Sequence, residues 1–478
     1  MTRFLAYAGG AFSAALALWV DRMFGAPTID QVLYHIHFAE AAAVQMSEVF
    51  VVTFLVEVLG ASIAIAAAAT AAHARLARAE GNWMAVAVRA LPHLAVVAGL
   101  ALLLMQFSVF SYAAAHFDED RFGNSYRSPS SATLTEVRRR NLILIYVESL
   151  EETYADAELF GSNLLEPLTT VGGDSLPEYK PAAGATWTIA AIVGTQCGVP
   201  LAVYSQDDIR RDGDRRAFLA GATCLGDILK ARGYRNVFLG GAPLTFSGKG
   251  AFLRDHGYQE IYGKDEWLAR GARRPGSPLP EIGGWGLFDE ALLRRAREQL
   301  AALHEAGQPF NLTLLTLDTH GPLGYASPGC RGDVPGDQYV PFEQIVACSS
   351  RHLAEFVRFA RDKGYLENTA LVILGDHLAA GNPVFAKLRS VEDRRIFNLF
   401  LGTEPFPKRS QPVQSFDMFP TLLEATGVRA DNGRLGLGQS AWTAEAPPPE
   451  WVQRPNLPAL AASPSYQRLW RRAAGAGD

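Results

Sequence analysis

NLILIYVES, residues 141–149, runs from Asn141 through six unbroken apolar residues, Leu142 to Val147, and ends on Glu148 and Ser149. An apolar run of strand length with no polar alternation suits a strand buried on both faces, as in a parallel sheet covered by helices. Residues 234–241 (YRNVFLGG), 310–320 (FNLTLLTLDTH) and 369–377 (TALVILGDH) have the same form. Between them lie helical patterns, FDEALLRRAREQLAALHEA at 288–306 and FEQIVACSSRHLAEFVRFARDKG at 342–364. Buried strands alternating with amphipathic helices predict an α/β domain with a mainly parallel central sheet. No internal repeat is visible.

Three of these runs end in polar chemistry. Glu148 closes the first, Asp318 and His320 the third, Asp376 and His377 the fourth. Ligands of open α/β sheets bind beyond the carboxyl ends of strands, so Glu148, His320, Asp376 and His377 are expected to converge. Carboxylates and imidazoles together suit a divalent metal ion. A single strand-ending Asp would mean only a cap or a solvated side chain; three such ends in one sheet favour the metal.

The stretch GATWTIAAIVGTQCGVPL, residues 184–201, lies between the first two strands and reads as a loop running into a short helix. Thr188 falls at or near the helix N-cap, a common role for threonine. The same geometry suits catalysis. Backbone N–H groups at a helix start favour a phosphate, and a threonine hydroxyl can attack phosphorus once a metal has lowered its pKa. Thr186, two residues earlier in the loop, is the rival nucleophile. Thr195 should lie about two turns into the helix.

Ahead of this domain the chain is apolar. Phe4–Val20 and Ala90–Ala115 carry no charge, and Ala41–Ala72 carries only Glu48 and Glu57. The third segment would span roughly 39 Å as a helix, enough to cross a bilayer. About three membrane spans are expected, near 4–20, 41–72 and 90–115, with Glu48 and Glu57 facing protein or the interface. Arg3 precedes the first span, and Arg75, Arg78 and Arg89 crowd the loop before the third, against only Arg22 in the loop after the first. The positive-inside rule puts the amino terminus in the cytoplasm and everything past about Phe117 outside. The expected divisions are a transmembrane anchor (1–116), a polar linker (117–140), the catalytic domain (141–430) and a Pro- and Ala-rich C-terminal tail (431–478). The four cysteines, Cys197, Cys224, Cys330 and Cys348, all lie in the exported part, where two disulfides are expected. Three pairings are possible; closeness along the chain favours Cys197–Cys224 and Cys330–Cys348. A formal net charge of −5 carries no nucleic-acid signature.

With these residues in hand, the sequence resembles the membrane-anchored, sulfatase-like transferases of the alkaline phosphatase superfamily. These include lipoteichoic acid synthases, phosphoethanolamine transferases and the phosphoglycerol transferases of periplasmic glucans. The likeness runs over roughly 141–428. Its carriers are NLILIYVESLEETY, ATWTIAAIVGTQCGVPL, GWGLFDEALL, LTLDTHGP, ILGDH and SFDMFPTLLEATG, and the first two look most like the glucan phosphoglycerol transferases. The resemblance implies an alkaline phosphatase/sulfatase-like fold and one divalent ion held by Glu148, Thr188, Asp376 and His377. Thr188 would be the nucleophile, and His320 and Lys249 would contact substrate. Lys249 matches less well, because relatives carry a Trp and an Arg in that stretch. Manganese or magnesium is implied by the phosphoglycerol members, zinc by the phosphoethanolamine members.

The expected reaction is transfer of a phosphoglycerol head group from phosphatidylglycerol to a glycan acceptor through a phospho-threonine intermediate, releasing diacylglycerol. A phosphoethanolamine transferase, or a phosphodiesterase or phosphatase, would use the same site. A membrane-anchored binding protein on a degenerate hydrolase fold is the non-enzymatic alternative. Sulfatase chemistry is disfavoured: the run Cys197-Gly-Val-Pro-Leu201 lacks the C/S-x-P-x-R pattern that precedes formylglycine. Simpler roles are expected for Glu151 and Glu152 (solvated, one of them a possible support for the site), Asp318 (a bond to His320 or the backbone), Asp417 (N-cap of the next helix) and His352 (solvated). His35 and His37 fall in the first external loop.

Overall fold

The structure, a computed structural model, describes residues 1–24, 48–77, 82–114, 120–202, 215–273, 280–283, 285–332, 339–409, 411–443 and 457–471, with isolated positions in 25–34 and the pair 211–212. His35, His37, Arg78 and the first seven residues of the expected second span lie outside the described residues. So do 115–119 of the expected anchor and linker and much of the expected tail. The chain forms two compact units, Met1–Asp118 and Glu119–Asp478.

In the first unit, three helices are long and apolar enough to cross a membrane: Thr2–Phe24, Phe50–Leu76 and Val86–Gln106. The third ends at Gln106 rather than at 115, because Ser108 takes a left-handed conformation (φ 53°) and turns the chain. Gly10 and Gly99 let the first and third helices touch backbone to backbone; a Cβ on Gly99 would sit 2.1 Å from the Gly10 carbonyl oxygen. Glu57 is paired with Arg22, and Tyr7 bonds to His73 at 3.0 Å, so both polar groups find protein partners. Such pairing is what an apolar surrounding requires. The side chain of Glu48 is outside the described residues.

The second unit is built on a six-stranded sheet. Its strands in chain order are β1 (Asn141–Val147), β2 (Arg235–Gly240), β3 (Glu260–Tyr262), β4 (Phe310–Leu315), β5 (Thr369–Gly375) and β6 (Asn398–Leu401). Their order across the sheet is β6-β5-β1-β4-β2-β3, parallel except for β6, which runs antiparallel to β5. The mainly parallel α/β sheet expected from the apolar runs is present. Nearly every residue of β1, β2, β4 and β5 is buried, which explains why their sequences do not alternate.

Helices cover the sheet, among them α1 (Thr188–Cys197), α2 (Lys249–Asp255), α3 (Asp289–Ala306) and α4 (Phe342–Asp362). α3 buries Leu292, Ala296, Leu300 and Leu303, three or four residues apart, and these join the core with residues of β1, β4 and β5. Disulfides join Cys197 to Cys224 and Cys330 to Cys348. Residues near the carboxyl end also enter the core: Tyr466 is buried, donates to the Pro200 carbonyl at 2.7 Å and accepts from the Ala202 N–H at 2.9 Å.

Candidate active site

The strand order places the chemistry. β1 lies between β5 and β4, and Val147 is in register with Gly375, so the next residues on each strand, Glu148 and Asp376, emerge side by side. One ligand atom from each of Glu148, Asp376 and His377 lies within 4.8 Å of the others. His377 Nε2 is 3.5 Å from Glu148 Oε1 and 3.5 Å from Asp376 Oδ2. Its Nδ1 must donate to the Leu378 carbonyl at 2.9 Å, since that oxygen can only accept. This leaves the Nε2 lone pair of the neutral ring facing the carboxylates.

Thr188 joins this group. It is the first residue of α1, and Trp187, with extended backbone (φ −152°, ψ 157°), is the N-cap. Thr188 thus lies next to the N-cap, as expected, and of its two open roles, cap or reactive hydroxyl, the first is not taken. Its hydroxyl caps nothing and instead donates to Glu148 Oε2 at 3.3 Å. Thr186 is exposed on the preceding loop. Thr195 is buried deeper in α1, where its hydroxyl donates to the Ala191 carbonyl at 2.7 Å. Cys197 closes the far end of the helix in its disulfide, about 13 Å along the axis from Thr188 by helical rise.

The donor set fits a divalent cation. Asp376 Oδ1 accepts from the N–H groups of Ser149 (2.7 Å) and His377 (2.8 Å), but its buried Oδ2 has no hydrogen-bond partner among the described residues. A buried carboxylate oxygen needs a compensating partner. A cation held by Glu148, Asp376, His377 and the Thr188 hydroxyl would supply it, with hard oxygen and imidazole donors of the kind manganese, magnesium or zinc accept. Two other clusters, Cys330/Cys348/His352 and Cys224/Asp227/His256, have metal-like composition, but their sulfurs are already joined in disulfides.

Electrostatics bind the site into one unit. Burial works against the charge of Glu148, but His320, His377 and bonds from Ser149 and Thr188 outweigh it and hold the carboxyl below its usual range. Burial and then the negative charge of Glu148 push Asp376 up. Burial works against protonation of His377, yet Asp376 and Glu148 prevail and raise it. Lys249, the first residue of α2, is buried; desolvation lowers its ammonium to about 8 against the opposing pull of Glu148. His320 is half-buried, its Nδ1 donates to the Gly321 carbonyl at 2.6 Å, and burial lowers its pKa. Both residues thus lie within electrostatic reach of Glu148.

Of the two partners expected for Asp318, His320 or the backbone, it takes the backbone. Its oxygens accept from Asp289 N (3.1 Å) and from the N–H (3.2 Å) and hydroxyl of Ser327. Asp417 stands at the N-cap position of the following helix, as expected, but its side chain does not cap there; it accepts from Gln414 N and Gln439 N, both at 2.8 Å. His352 is not solvated, because its Nε2 sits 3.4 Å from both sulfurs of the Cys330–Cys348 bridge.

Several residues at the site escaped the sequence reading. Ser149, in a left-handed conformation (φ 53°), donates its hydroxyl to Glu148 Oε1 at 2.7 Å. Thr316 accepts from Glu148 N at 3.0 Å, and Thr319 donates to the Glu148 carbonyl at 2.5 Å. Trp285 packs its ring 4.0 Å from that of His320. Ser149 and the threonines lie beside or near residues already singled out, and Trp285, 35 residues from His320, falls inside the stretch GWGLFDEALL that carries the family resemblance; these are usable signals.

Known proteins frame this geometry. The model of the Sulfatase family matches residues 140–428. Phosphoglycerol transferase I of Xanthomonas axonopodis pv. citri is 36% identical over 321 residues, covering 65% of this chain and 44% of the relative. The protein of that name from Escherichia fergusonii is 33% identical over 337 residues, covering 69% and 42%. The chain thus spans less than half the length of these curated relatives. A protein in the alkaline phosphatase superfamily from Vibrio parahaemolyticus shares the fold, with a TM-score of 0.54 at 19% identity over 76% of this chain and 95% of that one. With the family model matching well over half of its residues, this chain belongs to the sulfatase family and carries an alkaline phosphatase-like fold.

Proposed function

We propose that the protein is a membrane-anchored, metal-dependent transferase that moves a phosphoglycerol head group from phosphatidylglycerol to a glycan acceptor, releasing diacylglycerol. The observation that carries this reading is the Thr188 hydroxyl, uncommitted to capping and 3.3 Å from Glu148 Oε2 within the Glu148/Asp376/His377 cluster. Relatives named phosphoglycerol transferase I support the choice of group transferred.

In the first step Thr188 Oγ1 bonds to the phosphorus and the bond from phosphorus to the diacylglycerol oxygen breaks. The threonine proton is lost and the departing oxygen takes one up, leaving a glycerophosphoryl ester on Thr188. In the second step an acceptor hydroxyl attacks that ester, its proton is released, and Thr188 recovers its own. A divalent ion held by Glu148, Asp376, His377 and Thr188, manganese or magnesium by the family resemblance, would lower the hydroxyl pKa and offset charge on the phosphoryl oxygens. Lys249 and His320 orient the phosphate and the glycerol. Thr188 is the first residue of α1, and the N–H groups of a helix start favour an anion.

The membrane spans keep a lipid-consuming enzyme with its donor. Arginines at the predicted cytoplasmic ends and two disulfides in the second unit support a periplasmic catalytic domain. Cys197 sits in a disulfide at the opposite end of α1 from Thr188, an arrangement that argues against a formylglycine nucleophile. The experiment is diacylglycerol release from labelled phosphatidylglycerol or phosphatidylethanolamine by full-length protein with added manganese, with and without glucan. Release from phosphatidylglycerol alone is expected, lost in Thr188→Ala with folding intact. Wild-type turnover by that variant would sink the proposal, and release from phosphatidylethanolamine would change the donor.

A further inference from the structure

Glu151 is three residues beyond Glu148 and has no exposed surface. Its carboxylate accepts from three donors: Arg394 Nε at 3.0 Å, Arg394 Nη2, and the backbone N–H of Ala379 at 3.0 Å. Arg394 Nη2 also donates to the carbonyl of the same Ala379 at 2.7 Å. The ion pair therefore grips both backbone groups of one buried residue, two positions after His377.

The surroundings make this grip directional. Arg394 belongs to the segment that runs into β6, and that segment is stitched to the chain after β1. Glu152 N donates to the Arg395 carbonyl at 2.9 Å and Phe397 N to the Leu150 carbonyl at 3.1 Å. On the side facing the site, Ser149 N donates to Asp376 Oδ1 at 2.7 Å, and the Ser149 hydroxyl holds Glu148 Oε1. The turn carrying Glu148 and the turn carrying Asp376 and His377 are thus fastened at two places, by Ser149 within the cluster and by Glu151 with Arg394 behind it. A buried ion pair is weak evidence for stability, since apolar residues often replace one at no loss. Apolar replacements here would leave the Ala379 N–H and carbonyl without these partners, so the pair has a role that packing alone would not fill.

We propose that the Glu151–Arg394 pair is the positioning clamp of the divalent-metal site, holding the Asp376–His377 turn in register with Glu148 through Ala379. This rests on reading the cluster as a metal site. Partners that orient metal ligands typically change metal affinity by about 10–100-fold when altered, and the clamp should act in that range.

The test is calorimetric titration of manganese into chelator-treated full-length protein in detergent, comparing wild type, Glu151→Gln and Arg394→Lys, with thermal unfolding in parallel. Glu151→Gln keeps the shape but weakens the ion pair; Arg394→Lys keeps the charge but loses the two-pronged bond. Manganese affinity is expected to fall about 10–100-fold in Glu151→Gln and less in Arg394→Lys. The KM for lipid donor should stay unchanged, and kcat should recover as manganese is raised. A lower melting temperature with wild-type manganese affinity in the folded variants would make the pair a fold determinant and overturn the proposal. If Glu151→Gln does not fold, Arg394→Lys decides on the same criterion. A wild-type protein that takes up no manganese would overturn the metal reading together with the clamp. Wild-type uptake with unaltered variants would overturn the clamp alone.

Discussion

Lys249 is subject to two opposing effects. Burial strips its ammonium of water, and Glu148 attracts it, leaving a group that loses its proton near 8 instead of above 10. A lysine that orients a phosphate must be charged, and the charged form exists below that value. Diacylglycerol release should therefore decline as pH rises through about 8, and Lys249→Arg, which stays protonated, should extend activity to higher pH. A pH–rate profile of both proteins checks this; identical alkaline limbs would remove Lys249 from the phosphate site. Thr188 shows how a small shift in position changes a residue's role. Had it been the N-cap, its hydroxyl would have bonded to the backbone of its own helix; as the first helical residue it is free to reach Glu148.

The elements around β1 owe their precision to one close approach. A Cβ on Gly375, the last residue of β5, would lie 1.8 Å from the Leu150 carbonyl oxygen and 2.9 Å from Ile396 Cγ2. The strand that delivers Asp376 and the turn that follows Glu148 can pack at this distance only with glycine between them. Gly375→Ala should force the two apart, with a loss of about 1–3 kcal/mol of stability, the range for overpacked cores. Thermal unfolding measures the loss, and manganese titration should show a weakened site in the folded fraction. An alanine variant with wild-type melting and wild-type metal uptake would show that the approach is not needed. At the end of α1, Gly198 takes the left-handed conformation that terminates the helix (φ 66°), so the element bearing Thr188 is bounded on both sides by local chemistry.

At the scale of the whole second unit, α1 is held at both ends, by Thr188 to Glu148 and by Cys197 to Cys224. The bridge links residues 27 apart in sequence and ties α1 to the helix that precedes β2. Removing a native disulfide typically costs about 2–5 kcal/mol. The double change Cys197→Ala with Cys224→Ala should lower the melting temperature by several degrees, yet leave diacylglycerol release at 25 °C close to wild type. The same variant tests sulfatase-type chemistry: if Cys197 supplied the nucleophile, its loss would abolish turnover even in folded protein.

Sequence alone determined the classes of structure in this protein. Short apolar runs without alternation, of strand length and rich in β-branched residues, suit strands covered on both faces, and long uncharged helices have few stable settings outside a bilayer. The polar residues that end those runs marked Glu148, Asp376, His377 and His320, because strand ends in a parallel sheet are where polar side chains are tolerated and useful. The choice between the Thr188 hydroxyl as cap and as neighbour of Glu148 was not legible, since it turns on whether Trp187 or Thr188 adopts the extended backbone. Nor were the Asp318–Ser327 bonds, the burial of His352 against a disulfide, or the grip of Arg394 on Glu151 across 243 residues. These depend on which distant segments the sheet order β6-β5-β1-β4-β2-β3 brings together. A strand's own residues encode its burial, but its neighbours are selected by the packing of the entire sheet, so the residues proposed as ligands were visible in the sequence, while the partners of the residues around them are set only in the folded chain.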